Sequence, residues 1–124
     1  MFQVDTKENN VFIARLTTPR HENDAQDFFS FLGHLEKEKK FFLIFESEGE
    51  ARFSGENKKR MTMWFKSQKS FLSDSCLGFA RIKKDLSPLS RLTSKAMRLA
   101  MPCPYEVFTN ITDALLWANR MKKD

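Results

Sequence analysis

Two histidines, two cysteines and a scatter of serines and carboxylates are the groups in this sequence able to do acid–base, nucleophilic or metal chemistry. Their spacing assembles none of these. Neither His21 nor His34 has a Cys, His or carboxylate partner at metal-ligand spacing. Cys76 and Cys103 show no CxxC pattern and no neighbouring His, which argues against zinc. No GxSxG nucleophile elbow is present, and Gly33, Gly49, Gly55 and Gly78 form no GxGxxG or phosphate-cradling loop. Glu46 and Glu48 flank a strand end and read as solvated loop charges. The sequence predicts no catalytic residue, no metal site, no cofactor and no enzymatic activity.

The remaining signals concern binding. Met61, Met63, Trp64, Phe65 and Phe71 put more apolar bulk on one helical stretch than a single buried stripe needs. Met63 lies off the Met61–Trp64–Phe65 face, so part of this bulk is expected to be exposed or to line a groove; adaptable Met beside aromatics suits an apolar cavity or a protein contact. Basic residues form a second set. Lys58, Lys59 and Arg60 open that helix, Arg91, Lys95 and Arg98 recur at i, i+4, i+7 further on, and Arg81, Lys83 and Lys84 close a strand. Merged, they would make a patch for an acidic protein or an anionic membrane. Nucleic acid is the weakest of the three partners, because the Phe residues sit at core periods rather than interleaved with the basic ones.

The chain has 124 residues, the usual size of one domain, and the expectation is a single domain over 1–124. Its net charge of +5 is unevenly spread, about −4 over residues 1–57 and about +9 over 58–124. Thirteen Phe against one Tyr means that most aromatic rings need burial with no polar handle to satisfy. The opening residues do not read as a signal peptide, and the longest strongly apolar run, Phe41–Phe45, is far below membrane-spanning length. A cytoplasmic protein with reduced, buried, unbridged cysteines is therefore expected.

These groups must be positioned by an alternating set of elements. Two strands, Phe2–Asp5 and Val11–Leu16, flank Glu8-Asn9-Asn10, residues that tolerate left-handed turns, and so predict a hairpin. Asn23, with Gln26 as capping-box partner, starts a helix burying Ala25, Phe28, Phe29, Leu32 and Leu35. The unbroken run Phe41–Phe45 predicts a central parallel strand covered on both faces. One helix is expected to carry Met61, Trp64, Phe65, Gln68 and Leu72 along its inner stripe. A strand Leu77–Ile82 follows, then a helix capped by Ser87, begun by Pro88, stopped by Pro102 and packed through Leu89, Leu92, Ala96 and Leu99, with Arg91, Lys95 and Arg98 facing outward. A last strand Tyr105–Phe108 leads to a helix capped by Asn110 and buried through Ile111, Ala114, Leu115 and Ala118. The fold class is α/β, a hairpin plus a mostly parallel sheet of about five strands covered by about four helices.

This order resembles the STAS fold of the anti-sigma-factor antagonists and the small SpoIIAA-like proteins. Tyr105-Glu106-Val107-Phe108-Thr109 with Ala114 and Trp117 resembles the ending of the SpoIIAA-like group, and Arg91-Leu92 through Met101 followed by Phe108 looks like the antagonists' last helix–strand–helix. The resemblance implies a two-layer STAS-like domain. It makes Ser54 the counterpart of the antagonists' phosphorylated Ser, although Phe53 stands where the family has an acidic residue; as residues alone, Ser54 is a helix cap. It implies a non-enzymatic regulatory module binding a protein partner through residues 50–66, Phe53, Met61, Met63, Trp64 and Phe65 among them, and leaves room for a homodimer. The alternatives are a carrier or sensor of a small apolar or anionic ligand, since the group also resembles lipid-binding folds in architecture, and peripheral attachment to anionic membranes.

Overall fold

The computed structural model describes residues 1–8, 10–47, 54–84 and 88–123. Its elements run β1 (Phe2–Lys7), β2 (Val11–Leu16), α1 (Asp24–Leu35), β3 (Phe41–Ser47), α2 (Gly55–Ser67), α3 (Lys69–Ser75), β4 (Cys76–Ile82), α4 (Pro88–Ala100), β5 (Tyr105–Phe108) and α5 (Ile111–Lys123). β1 and β2 pair antiparallel around Asn10, whose φ of 59° is the left-handed turn expected of the hairpin. The remaining pairs are parallel, and the strand order is sequential, β1-β2-β3-β4-β5.

That order decides where the helices lie. Right-handed crossovers that always step to the next strand in the same direction must all pass over one face. Accordingly α1, α2, α3 and α4 pack on one side of the sheet, against Ala14, Leu16, Phe41, Leu43, Phe45 and Phe79. The other face, with Val11, Ile13, Phe42, Ile44, Ala80 and Ile82, is covered by α5 through Ala114 and Ala118. β3 lies between the two cores, and its first five residues are all buried. It is the central strand, parallel to both neighbours, as its unbroken apolar run predicts.

Three local expectations are corrected. The stripe from Met61 to Leu72 is divided between α2 and α3 at Gln68. Ser67 donates its hydroxyl to the Trp64 carbonyl at 3.0 Å, the same oxygen that accepts from the Gln68 N–H at 3.0 Å, and such back-bonding bends helices. Asn23 sits at the N-cap of α1 but makes no side-chain cap bond. Its neighbour Asp24, 6% exposed, accepts instead from the N–H groups of Phe2 and His21, each at 2.9 Å, and ties the hairpin to α1. Burial alone would raise the pKa of this carboxyl, but those bonds and the N-terminal ammonium hold it below the usual range.

The third correction concerns α4. Leu92 and Leu99, expected inside, are 66% and 82% exposed, and Ala96 is exposed with them. Met97 and Met101 pack on the core in their place, and Arg98 turns inward to β5, donating to the Tyr105 carbonyl at 3.3 Å and to Glu106 Oε2 at 3.1 Å. At 100° per residue the Leu92–Ala96–Leu99 row lies roughly opposite Met97 and Met101, so the helix carries two apolar stripes. Periodicity marks both without saying which goes in. The Leu89 and Arg91 side chains, and Ser87, lie outside the described residues.

At Gly78 the backbone of β4 is squeezed between rings: a Cβ there would stand 2.7 Å from Trp117 Cη2 and 3.0 Å from two atoms of the Phe42 ring. Gly78→Ala is predicted to cost about 1–3 kcal/mol of stability by overpacking, with an altered Trp117 environment. Denaturant unfolding followed by Trp fluorescence checks it, and an unchanged midpoint contradicts the packing described.

Candidate functional site

The helix layer does not close completely over the sheet. A cavity of about 290 Å³ lies between α1, α2, α4 and the strands β3, β4 and β5. Its floor is Leu43 and Phe45 of β3, Phe79 of β4 and Tyr105 of β5; Met61 and Phe65 roof it from α2, and Met97 and Met101 wall it from the end of α4. Close-packed interiors leave few voids larger than a water molecule, and this one approaches the size of small-ligand pockets. Lys66 and Lys69 stand exposed at its edge.

The polar and charged residues of the wall are Thr62, Lys66, Lys69, Arg81, Lys83 and Tyr105. Period-two alternation along β4 puts Ala80 and Ile82 toward α5, and Phe79 and Arg81 toward the helix layer. A guanidinium is thereby set on the dry face. Arg81 Nε is buried with no hydrogen-bond partner among the described residues, and so is Tyr105 Oη. Arg15 Nε shares that lack, but Arg15 has Glu46 at 3.9 Å as a countercharge. No carboxylate pairs with Arg81 among the described residues, and its guanidinium stands 5.3 Å from the centre of the Phe45 ring. Burial pulls the Arg81 pKa down, slightly opposed by Tyr105, and pushes the Tyr105 phenol up.

The sequence-predicted site residues disperse. Met61 and Phe65 line the cavity, whereas Met63 is 59% exposed on the outer side of α2. Trp64 is a stitch between helices: its Nε1 donates to Glu36 Oε1 at 3.0 Å, and its ring meets Phe65 edge-on at 5.1 Å. Ser54 caps α2, its exposed hydroxyl accepting from the Asn57 N–H at 3.2 Å. Phe53 and the other residues of 48–53 lie outside the described residues. Arg60 stacks over the Phe29 ring at 4.0 Å and Arg98 is paired with Glu106, so neither is a free member of a basic patch. Lys59 and Lys95 are exposed, and the side chains of Lys58 and Arg91 lie outside the described residues. The cavity-lining polar pair absent from the sequence-predicted site is Arg81 with Tyr105. By sequence Arg81 is a strand-end charge, yet its place two residues after Phe79, in a strand covered on both sides, is the signal that points it toward the helix layer.

Other chemistry is sparse. Cys76 and Cys103 are both free and buried, and the Cys76 thiol donates to the Gly78 carbonyl at 3.4 Å. The neighbouring Cys103 thiol and burial raise the Cys76 pKa, while Cys76 lowers that of Cys103. His21 and His34 are exposed, and no group of three metal-ligating side chains occurs among the described residues. No described helix is long and apolar enough to cross a membrane.

No protein-family model matches the chain, and no curated protein matches it. Among solved structures it is similar to the crystal structure of an uncharacterised protein of the DUF3478 family with a SpoIIAA-like fold, from Shewanella loihica PV-4. The two share 14% identity over 94% of this chain and 91% of that one, with a TM-score of 0.61. The class is therefore plain: this chain is an α/β domain with a SpoIIAA-like fold, as the order of its elements and its final strand and helix suggest. The likeness concerns the fold, and the chemistry has to be read from this chain's own residues.

Proposed function

We propose that this domain is a non-enzymatic binding module, a carrier or sensor that takes a small amphipathic ligand into the cavity beneath α2. The observation that supports the reading is the cavity itself, about 290 Å³ between mainly apolar walls of the helix layer and the sheet, room for a ligand on the order of ten heavy atoms. Apolar walls with a few fixed polar groups are the usual composition of such sites. Titration with decanol and decanoate, followed by amide NMR, is expected to shift Leu43, Phe79 and Tyr105 and to leave Ala114 and Ala118, under α5, in place. Ala100→Trp, which puts bulk at an exposed lining position, is expected to weaken the response. No shift with either compound, or shifts confined to α5, contradicts the reading.

A second reading, contact with an anionic membrane surface, is favoured by the outward row of α4, where exposed Leu92 and Leu99 bracket an exposed Lys95. Apolar side chains beside a basic one suit an interfacial helix. Sedimentation with vesicles containing anionic lipid is expected to carry the protein down at low salt, and Leu92→Gln with Leu99→Gln to abolish it. Binding indifferent to both salt and the substitutions contradicts this reading. The protein-partner reading on α2 retains Met63 as its exposed apolar residue, while Met61, Trp64 and Phe65 are engaged in the cavity and against α1.

A further inference from the structure

We infer that the ligand is a single-chain amphiphile carrying one negative charge, a fatty-acid-like carboxylate, with its head group on Arg81 and Tyr105 and its chain against the Met and Phe walls. This rests on the cavity reading and specifies its chemistry.

The placement comes from the sheet. In the parallel register of β4 and β5, Phe79 faces Tyr105 and Arg81 faces Val107, so Arg81 and Tyr105 are diagonal neighbours on one face. Both line the cavity, and both bury a polar atom that nothing among the described residues satisfies. Tyr105 is 2% exposed, so its hydroxyl is an interior group of the site. Two donors of this kind, one of them a guanidinium, suit a carboxylate, which accepts at two oxygens.

The charge balance narrows the class. The acids of the neighbouring strands are already engaged, Glu46 near Arg15 at 3.9 Å and Glu106 with Arg98 at 3.1 Å. The Phe45 ring favours a cation near it but accepts no in-plane N–H bond from Nε. Arg81 is the lining cation with a buried Nε that has no partner among the described residues, and a single carboxylate suffices to meet it; Lys83, also on the lining, has an interaction of its own. Lys66 and Lys69 at the edge add a positive field that draws an anion toward the opening.

The test compares decanoate with decanol by calorimetry on the wild-type protein and on Arg81→Met and Tyr105→Phe, variants that keep apolar volume in the wall. The wild type is expected to bind decanoate about tenfold or more tightly than decanol, the size of one charge-assisted bond. Arg81→Met is expected to bind both alike, and Tyr105→Phe to reduce the preference. Because it removes a buried Nε that has no partner among the described residues, Arg81→Met should melt at or above the wild-type temperature without ligand; a lowered Tm marks a structural role and overturns the assignment. Equal binding of both compounds to the wild type overturns the carboxylate inference and leaves the cavity reading standing. Binding of neither overturns both.

Discussion

The structure depends on β3 being dry on both faces. Phe41, Leu43 and Phe45 meet the helix layer while Phe42 and Ile44 meet the side of α5, and all five are buried. Each such side chain stabilises the fold by about 1.5–3 kcal/mol relative to exposure, so the segment works as a two-sided anchor. Small residues let its neighbours approach. Gly78 lies opposite Phe42 in the β4 register, Ala80 opposite Ile44, and Ala114 and Ala118 bring α5 down onto the same face. The two faces differ in consequence. One face is covered by the single helix α5, through Ala114 and Ala118 with Trp117 and Met121 beside them, whereas the other carries a layer of four helices and leaves the cavity among them.

The same pleat that buries Phe79 delivers Arg81 to that cavity. A strand cannot place residue 79 on the dry face without placing residue 81 there, so the guanidinium is positioned by packing. A buried guanidinium nitrogen left without a partner among the described residues is costly. In the proposed reading, the apolar walls would give affinity and the polar groups among them would choose the head group.

Much of the fold was legible because β-strands declare themselves by composition. Val11–Leu16 and Tyr105–Phe108 have the expected bounds, the Phe41–Phe45 run is the central strand, and Asn110 caps α5 by accepting from the Asp113 N–H at 2.8 Å. What was illegible involved choices between neighbours or between faces. Asn23 and the adjacent Asp24 are equally good acceptors, and the one that also reaches the Phe2 N–H wins. On α4, leucine and methionine stripes are both periodic, and Arg98's reach to β5 together with Met97's fit against the core settles which turns inward. The Gln68 break leaves no Pro or Gly as a marker, since a serine hydroxyl makes it. The candidate site was half visible: Met61 and Phe65 belong to it, but a cavity is a product of three elements meeting, and no single stretch of sequence encodes it.

A crystal structure of the protein grown with decanoate tests the central claim most directly. The account predicts the chain between α2 and β3, with carboxylate oxygens within about 3.2 Å of Arg81 Nε and Tyr105 Oη. Decanoate bound elsewhere, or Arg81 turned out to solvent with the head group unpaired, would contradict it.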